Sequence, residues 1–278
     1  PIIGDCRCHD EKRRAIQNMS HTIQAYRCGP DIVKIIARSS HNYIAALPDN
    51  LNEREKENKR TSLSRSRRTV ADILHCNYFR FFLTVTIKNN ENGSSPTRDD
   101  VVQICKNGLR TIKRHYGGPV GYIIVPELSD EDEMNPGRWH GHIMLTAIPS
   151  DMLQPYSSSD KGLPAIIYRR MAVGIDCFST PVFARYGYCL VERVGDTKAD
   201  YDALAKYLTK TMYLDSCAPL PKGQRRIISS HGLARPERVF SGVISSDEYA
   251  TIRASSGESL RDGGRLIHYV SRSALSFL

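Results

Sequence analysis

The sequence predicts an α+β fold, a mostly antiparallel sheet with flanking helices. Three observations carry this. Tyr78–Lys88 (YFRFFLTVTIK) alternates in the period-two manner of a strand and is rich in aromatic and β-branched residues. Gly118–Leu128 and Trp139–Ile148 have the same character, and the acidic, turn-rich SDEDEMNPGR between them suits an antiparallel hairpin. Between the first strand and the hairpin, Asp99–Tyr116 spaces Val102, Ile104, Leu109 and Ile112 as a helix does, and Gly117-Gly118 stops it.

The remaining elements follow in order. Residues 1–76 are basic and mainly helical in flavour, an arm ahead of the sheet. Within it Leu51–Arg68 holds seven basic and three acidic residues and little that is apolar, as in a solvated helix or loop. Thr69–Cys76 then offers a short helical apolar face, Val70, Ile73 and Leu74. Past the hairpin, Ala165–Val173 suits a helix, Tyr188–Val194 (YCLVERV) a strand and Lys198–Leu214 a helix. The order β, α, β, β, α, β, α suits helices packed on an antiparallel sheet. From residue 217 the chain is Pro-, Gly- and Arg-rich. The expected organisation is an arm over 1–76, a catalytic domain over 77–216 and a basic extension over 217–278.

A chain of 278 residues with 40% hydrophobic and 25% charged residues is neither fibrous nor wholly disordered. Its net charge of +9 favours polyanionic partners, nucleic acid first, because each neutralised phosphate releases counterions. There is no apolar run of about 18 residues and no secretory-type leader, so the expectation is no membrane partner and a cytoplasmic location in the host cell. The eight cysteines show no spacing framework and are expected to be reduced, mostly as small buried hydrophobes. Cys6-x-Cys8-His9 suggests half of a zinc site, but no matching pair follows. No G-x-x-x-x-G-K-[ST] sequence occurs, so duplex unwinding is left to another protein.

His140-Gly141-His142 lies within a strand, and residues i and i+2 of a strand share a face. The two imidazoles therefore project together, while Trp139, Ile143 and Leu145 take the core side. Such a pair suits a divalent metal ion, although a structural role stays open. A carboxylate from the neighbouring strand would complete the donor set, and Glu127, at the end of the preceding strand, is the best placed. Asp130, Glu131, Asp132 and Glu133 are the alternatives, or a plain acidic turn.

In the helix from Lys198, Tyr201, Leu204, Ala205, Leu208 and Met212 form the core stripe. Tyr207 sits off it, one turn before Lys210, so phenol and ammonium share a surface. A phenol ionises near pH 10 and needs a cation or base to act as a nucleophile. By itself, Tyr-x-x-Lys on a helix is common and mostly structural.

The strand FFLTVTI (Phe81–Ile87), His140-x-His142 followed by Ile143, Met144 and Leu145, and AKYLTK (Ala205–Lys210) together resemble, in order and spacing, the three motifs of HUH-class rolling-circle replication initiators of the single-tyrosine type. The resemblance spans about Asn77 to Lys210. It implies a ferredoxin- or RRM-like sandwich in which His140, His142 and Glu127 bind Mg²⁺ or Mn²⁺. It further implies that Tyr207 attacks single-stranded or hairpin origin DNA, leaving a 3′-hydroxyl and a 5′-phosphotyrosine, with Lys210 as the motif lysine. A host helicase and polymerase would be partners. Two departures stand out: Gly141 where the family places a bulky apolar residue, and Ala203 where two-tyrosine members carry a second tyrosine.

Lys222, Arg225, Arg226, Arg235 and Arg238 are candidate phosphate contacts or a solvated loop. Tyr186, Tyr188 and Trp139 are candidate stacking residues or core. A relaxase or a single-strand transposase would share the chemistry. A non-catalytic nucleic-acid binder and a phosphoesterase without a covalent step are the readings from other classes.

Overall fold

The computed structural model describes residues 20–38, 51–91, 93–129, 137–210, 224–257, 259–262 and 265–275. The chain begins with β1 (His21–Cys28), β2 (Ile32–Arg38) and α1 (Leu51–Cys76). It continues through β3 (Phe81–Ile87), α2 (Arg98–Tyr116), β4 (Tyr122–Leu128), β5 (Trp139–Leu145), β6 (Gln154–Pro155) and α3 (Ala165–Ala172). Then come β7 (Cys177–Ser179), α4 (Pro181–Ala184), β8 (Gly187–Arg193), α5 (Lys198–Leu208) and β9 (Ile228–Ser229). The last elements are β10 (Glu237–Ile244), α6 (Ser246–Ser256), β11 (Leu260–Asp262) and β12 (Arg265–Ser271). The class is α+β, as the sequence predicts, with two sheets whose strand pairs are antiparallel.

Two compact units divide the chain, Asn77–Leu233 and a second built from both ends, Pro1–Cys76 with Ala234–Leu278. In the two-ended unit the strand order is β10-β1-β2-β12-β11. Ile23, Ala25, Val33, Ile35 and Val270 pack with Tyr249 and Ile252 of α6 on one face. On the other, Lys34 meets Asp72 of α1 at 2.7 Å, and the Tyr269 hydroxyl donates to the same carboxylate at 2.6 Å. A lysine this deeply buried is tolerated because its charge is paired and hydrogen-bonded. The mainly helical arm and the separate C-terminal extension expected from the sequence are thus different in the structure: residues 21–38 are a hairpin, and β10 pairs directly with β1. Alternation in these short strands is masked, because β2 is buried on both faces and β10 is an exposed edge.

The Asn77–Leu233 unit holds the sheet β6-β7-β8-β3-β5-β4-β9. Helix α2 is closed at its start by Thr97 and Asp100, which cap each other's backbone, and at its end by Gly117 in the left-handed region. Its Val101, Cys105, Leu109 and Ile112 pack on Leu83, Val85, Ile124, Ile143 and Val191. Burial of such side chains contributes about 1.5–3 kcal/mol each. Gly141 faces this helix: a Cβ there would lie 2.5 Å from Cys105 Sγ and 3.3 Å from Val101 Cγ1. The missing side chain between the histidines is therefore what lets α2 sit close to β5.

Candidate active site

The strand register fixes what the opposite face carries. His140 pairs with Thr86 on one side and Glu127 on the other, and His142 pairs with Thr84 and Val125. Partners in a rung share a face, as do residues two apart, so Thr84, Thr86, Glu127, His140 and His142 all project away from α2. Thr86 Oγ1 lies 2.9 Å from His140 Nδ1, and Thr84 Oγ1 lies 3.3 Å from His142 Nδ1. Both imidazoles are thereby oriented through Nδ1, which turns their Nε2 atoms outward. His142 Nε2 meets Glu127 Oε2 at 2.7 Å, with both side chains less than a tenth exposed.

Helix α5 brings the phenol to this face. Thr197 and Asp200 cap its start, and Tyr201 and Leu208 are its buried residues. Tyr201 also donates its hydroxyl to the Phe79 carbonyl, in keeping with a packing role. Tyr207 stands edge-on to His142, with ring centroids 5.4 Å apart, and edge-on to Phe82 at 5.6 Å. The helix is shorter than the expected Lys198–Leu214: its last residue is Leu208, so Lys210 lies past its end. Lys210 Nζ is nonetheless 4.9 Å from the Tyr207 ring centre and 3.3 Å from Glu127 Oε1. The carboxylate is gripped by an imidazole on one oxygen and an ammonium on the other.

Burial pushes the Glu127 carboxyl upward, but the hydrogen bond and charge of His142 and the charge of Lys210 outweigh it, and the group ends below its usual range. Burial, together with the neighbouring His142, lowers His140 against the pull of Glu127. It is neutral at pH 7, with a lone pair to offer. Tyr207 is raised, chiefly by burial, with Lys210 and Arg170 opposing and Glu127 and Glu192 reinforcing the rise. As it stands the phenol holds its proton and needs added positive charge to release it.

Two neutral-capable imidazoles and one ionised carboxylate suit a divalent cation, and threonines at Nδ1 are the outer partners such ligands require. Among the described residues no group of three or more His, Cys, Asp or Glu is arranged as a ready-made metal site. Here the Glu127 oxygens engage His142 and Lys210.

The other sequence candidates are more scattered. Arg225 and Arg226 belong to the Asn77–Leu233 unit, where the Arg225 carbonyl accepts from Arg98. Arg235 and Arg238 belong to the two-ended unit, so these basic residues do not form one segment. Lys222, the acidic run 130–133, Met212, Tyr213 and Cys6-x-Cys8-His9 lie outside the described residues. Tyr188 is exposed and donates to the Gly162 carbonyl, while Trp139 and Tyr186 pack against the core. Cys28, Cys76, Cys105, Cys177 and Cys189 are buried free thiols. No described helix is long and apolar enough to cross a membrane.

Sequence reasoning missed Thr84, Thr86, Arg170 and Glu192. The threonines were within reach: in FFLTVTI they alternate with Leu83 and Val85, which marks them as the face opposite the core. Arg170 and Glu192 carry no local signal, since only the pairing of Glu192 with Phe82 and the position of α3 bring them near Tyr207.

No curated protein and no solved structure matches the chain. Residues 80–212 match the family model for the replication-associated protein ORF2. That stretch contains Glu127, His140, His142, Tyr207 and Lys210, and its similarity to a replication-associated family supports a role in DNA replication.

Proposed function

We propose that this protein is a metal-dependent tyrosine endonuclease and strand transferase. It nicks and rejoins single-stranded or hairpin origin DNA to initiate rolling-circle replication of a phage, virus or plasmid. The observation that carries this is the convergence of Tyr207, Lys210, His142 and Glu127 on one sheet face, with His140 two residues from His142, within the stretch that resembles replication-associated proteins.

Mg²⁺ or Mn²⁺ held by His140, His142 and Glu127 would polarise a non-bridging phosphate oxygen and neutralise charge at the transition state. Thr84 and Thr86 hold the imidazoles through Nδ1. The ammonium of Lys210 favours ionisation of the adjacent phenol. The Tyr207 oxygen attacks phosphorus, the P–O3′ bond breaks, and the proton lost by the phenol is balanced by one gained at the departing 3′-oxygen. The products are a 3′-hydroxyl, a primer for a host polymerase, and a 5′-phosphotyrosine that keeps the bond energy for rejoining. Unwinding falls to a host helicase, consistent with the missing P-loop signature.

One observation favours a second reading. The Glu127 carboxylate is already closed by His142 and Lys210, as in a structural ion pair of a nucleic-acid binder. A single experiment separates the two: incubation with Mn²⁺ and labelled single-stranded oligonucleotides spanning the origin of its replicon, beside Tyr207→Phe and a chelator. A DNA adduct that survives denaturation and is lost in both controls is expected. Cleavage without an adduct would indicate a phosphoesterase, and neither cleavage nor adduct would leave the binder.

A further inference from the structure

A cavity of about 380 Å³ opens beside Tyr207, walled by Phe82 of β3, Arg170 of α3, Glu192 of β8, and Ala203 and Leu204 of α5. Its size falls in the range of small-ligand sites, roughly 300–1,000 Å³. Glu192 shares the rung of Phe82, which stacks on His142, so the cavity continues the same sheet face. The Glu192 side chain is only 10% exposed, and the cation paired with it among the described residues is Arg170, at 3.2 Å. That contact is ionic without hydrogen-bond geometry: the Arg170 Nε is buried and makes no hydrogen bond. The guanidinium, 40% exposed at the side chain, is therefore not locked onto the carboxylate. The charges of Arg170 and Glu192 both act on the Tyr207 hydroxyl, so the cavity and the nucleophile share one electrostatic environment.

We propose that this cavity is a nucleotide subsite that takes an amino-bearing base next to the phosphate attacked by Tyr207, with Glu192 reading the base edge and Arg170 holding the flanking backbone. The inference rests on the nuclease reading for its position relative to the phosphate. If the phosphate sits at the Tyr207 hydroxyl, the neighbouring nucleoside must lie within one nucleotide of it, and this cavity opens there. Phe82 and Leu204 offer apolar walls for the faces of an unstacked base. An ionised carboxylate accepts hydrogen bonds and donates none. It matches the exocyclic amino groups of cytosine, adenine or guanine and repels the carbonyls that flank the single N–H of thymine. Arg170 supplies the fork geometry suited to a phosphate. Ala203, one turn before Tyr207, leaves the mouth open because its side chain is a single methyl.

The test is a selection from a single-stranded DNA library with a randomised stretch, using the full chain, Glu192→Gln and Ala203→Leu. Filter retention in metal-free buffer reads the subsite, and capture of denaturation-resistant adducts with Mn²⁺ reads the chemistry. Wild type should disfavour thymine about tenfold at one position of the retained sequences, the scale of one good edge contact. In the adducts, that position should adjoin the linked phosphate. Glu192→Gln should erase the bias there and nowhere else, because the amide offers a donor to thymine carbonyls. Ala203→Leu, a substitution helices accept, should weaken retention by narrowing the mouth. Retained sequences and affinities identical to wild type in both variants would overturn the subsite even if adducts form. A complete lack of adducts, with the retained bias still dependent on Glu192, would overturn the nuclease reading and leave a base-reading pocket.

Discussion

The Glu127 carboxylate lies 2.7 Å from His142 Nε2, yet in the β4–β5 ladder its direct partner is His140. A diagonal contact of this kind places one carboxylate between two imidazoles on adjacent rungs, which is the arrangement a shared cation requires. It also makes the outer shell, Thr84 and Thr86, decisive for where the rings point.

Replacing Thr86 with Val keeps the strand's shape and removes the hydroxyl 2.9 Å from His140 Nδ1. Affinity for Mn²⁺ is expected to fall by about 10- to 100-fold, the usual cost of losing an outer partner of a ligand histidine. Electron paramagnetic resonance titration of free Mn²⁺ measures this without any turnover. Unchanged affinity would mean that His140 is not a ligand or that its ring is held by other contacts.

Gly141→Ala should destabilise the Asn77–Leu233 unit. The new methyl would sit 2.5 Å from Cys105 Sγ on α2. Overpacking of this kind costs about 1–3 kcal/mol. Denaturant melts of Gly141→Ala and of Gly141→Ala with Cys105→Ala give the check: the second change should restore part of the loss by removing the sulfur.

Lys210 lowers the ionisation point of Tyr207 against the larger upward push of burial. Lys210→Met should therefore move phenol ionisation to still higher pH, and the alkaline rise of adduct formation with it. Ultraviolet difference titration, with Tyr207→Phe as the blank for the other tyrosines, reads the shift. A downward shift would show that Lys210 acts mainly by holding Glu127.

His268, in the two-ended unit, is fully buried, with Ser256 and Ser259 hydroxyls at Nδ1 and the Tyr249 hydroxyl at Nε2. Burial, aided by Arg253, depresses its pKa from 6.5 to about 4. The unfolded chain therefore binds the proton first. This unit's stability should be complete above pH 6.5 and should decline as the pH falls from there toward 4. Urea midpoints across that window should follow this course, and His268→Gln should flatten it.

Much of the catalytic face was legible because its residues sit in regular local patterns. Strand parity alone put His140 and His142 on one face and Ile143 and Leu145 on the other, and the helical wheel separated Tyr207 from Tyr201 and Leu208. The hairpin loop length pointed to Glu127 as a neighbour, and the register pairs it with His140. The two-ended unit was not legible. Its sheet joins β1 to β10 across more than two hundred residues, and such a pairing leaves no periodic trace in either segment.

The sequence by itself therefore determined what lies on which face of each strand and helix, because side-chain direction follows from backbone periods of 2 and 3.6 residues. Tertiary structure alone decided that Tyr207 meets His142, that Lys210 reaches Glu127 from beyond its helix, and that Arg170 and Glu192 line a cavity beside them. Those meetings depend on strand order and on which helix covers which face. Both are set by burial of apolar surface between segments far apart in the chain, which no local window contains.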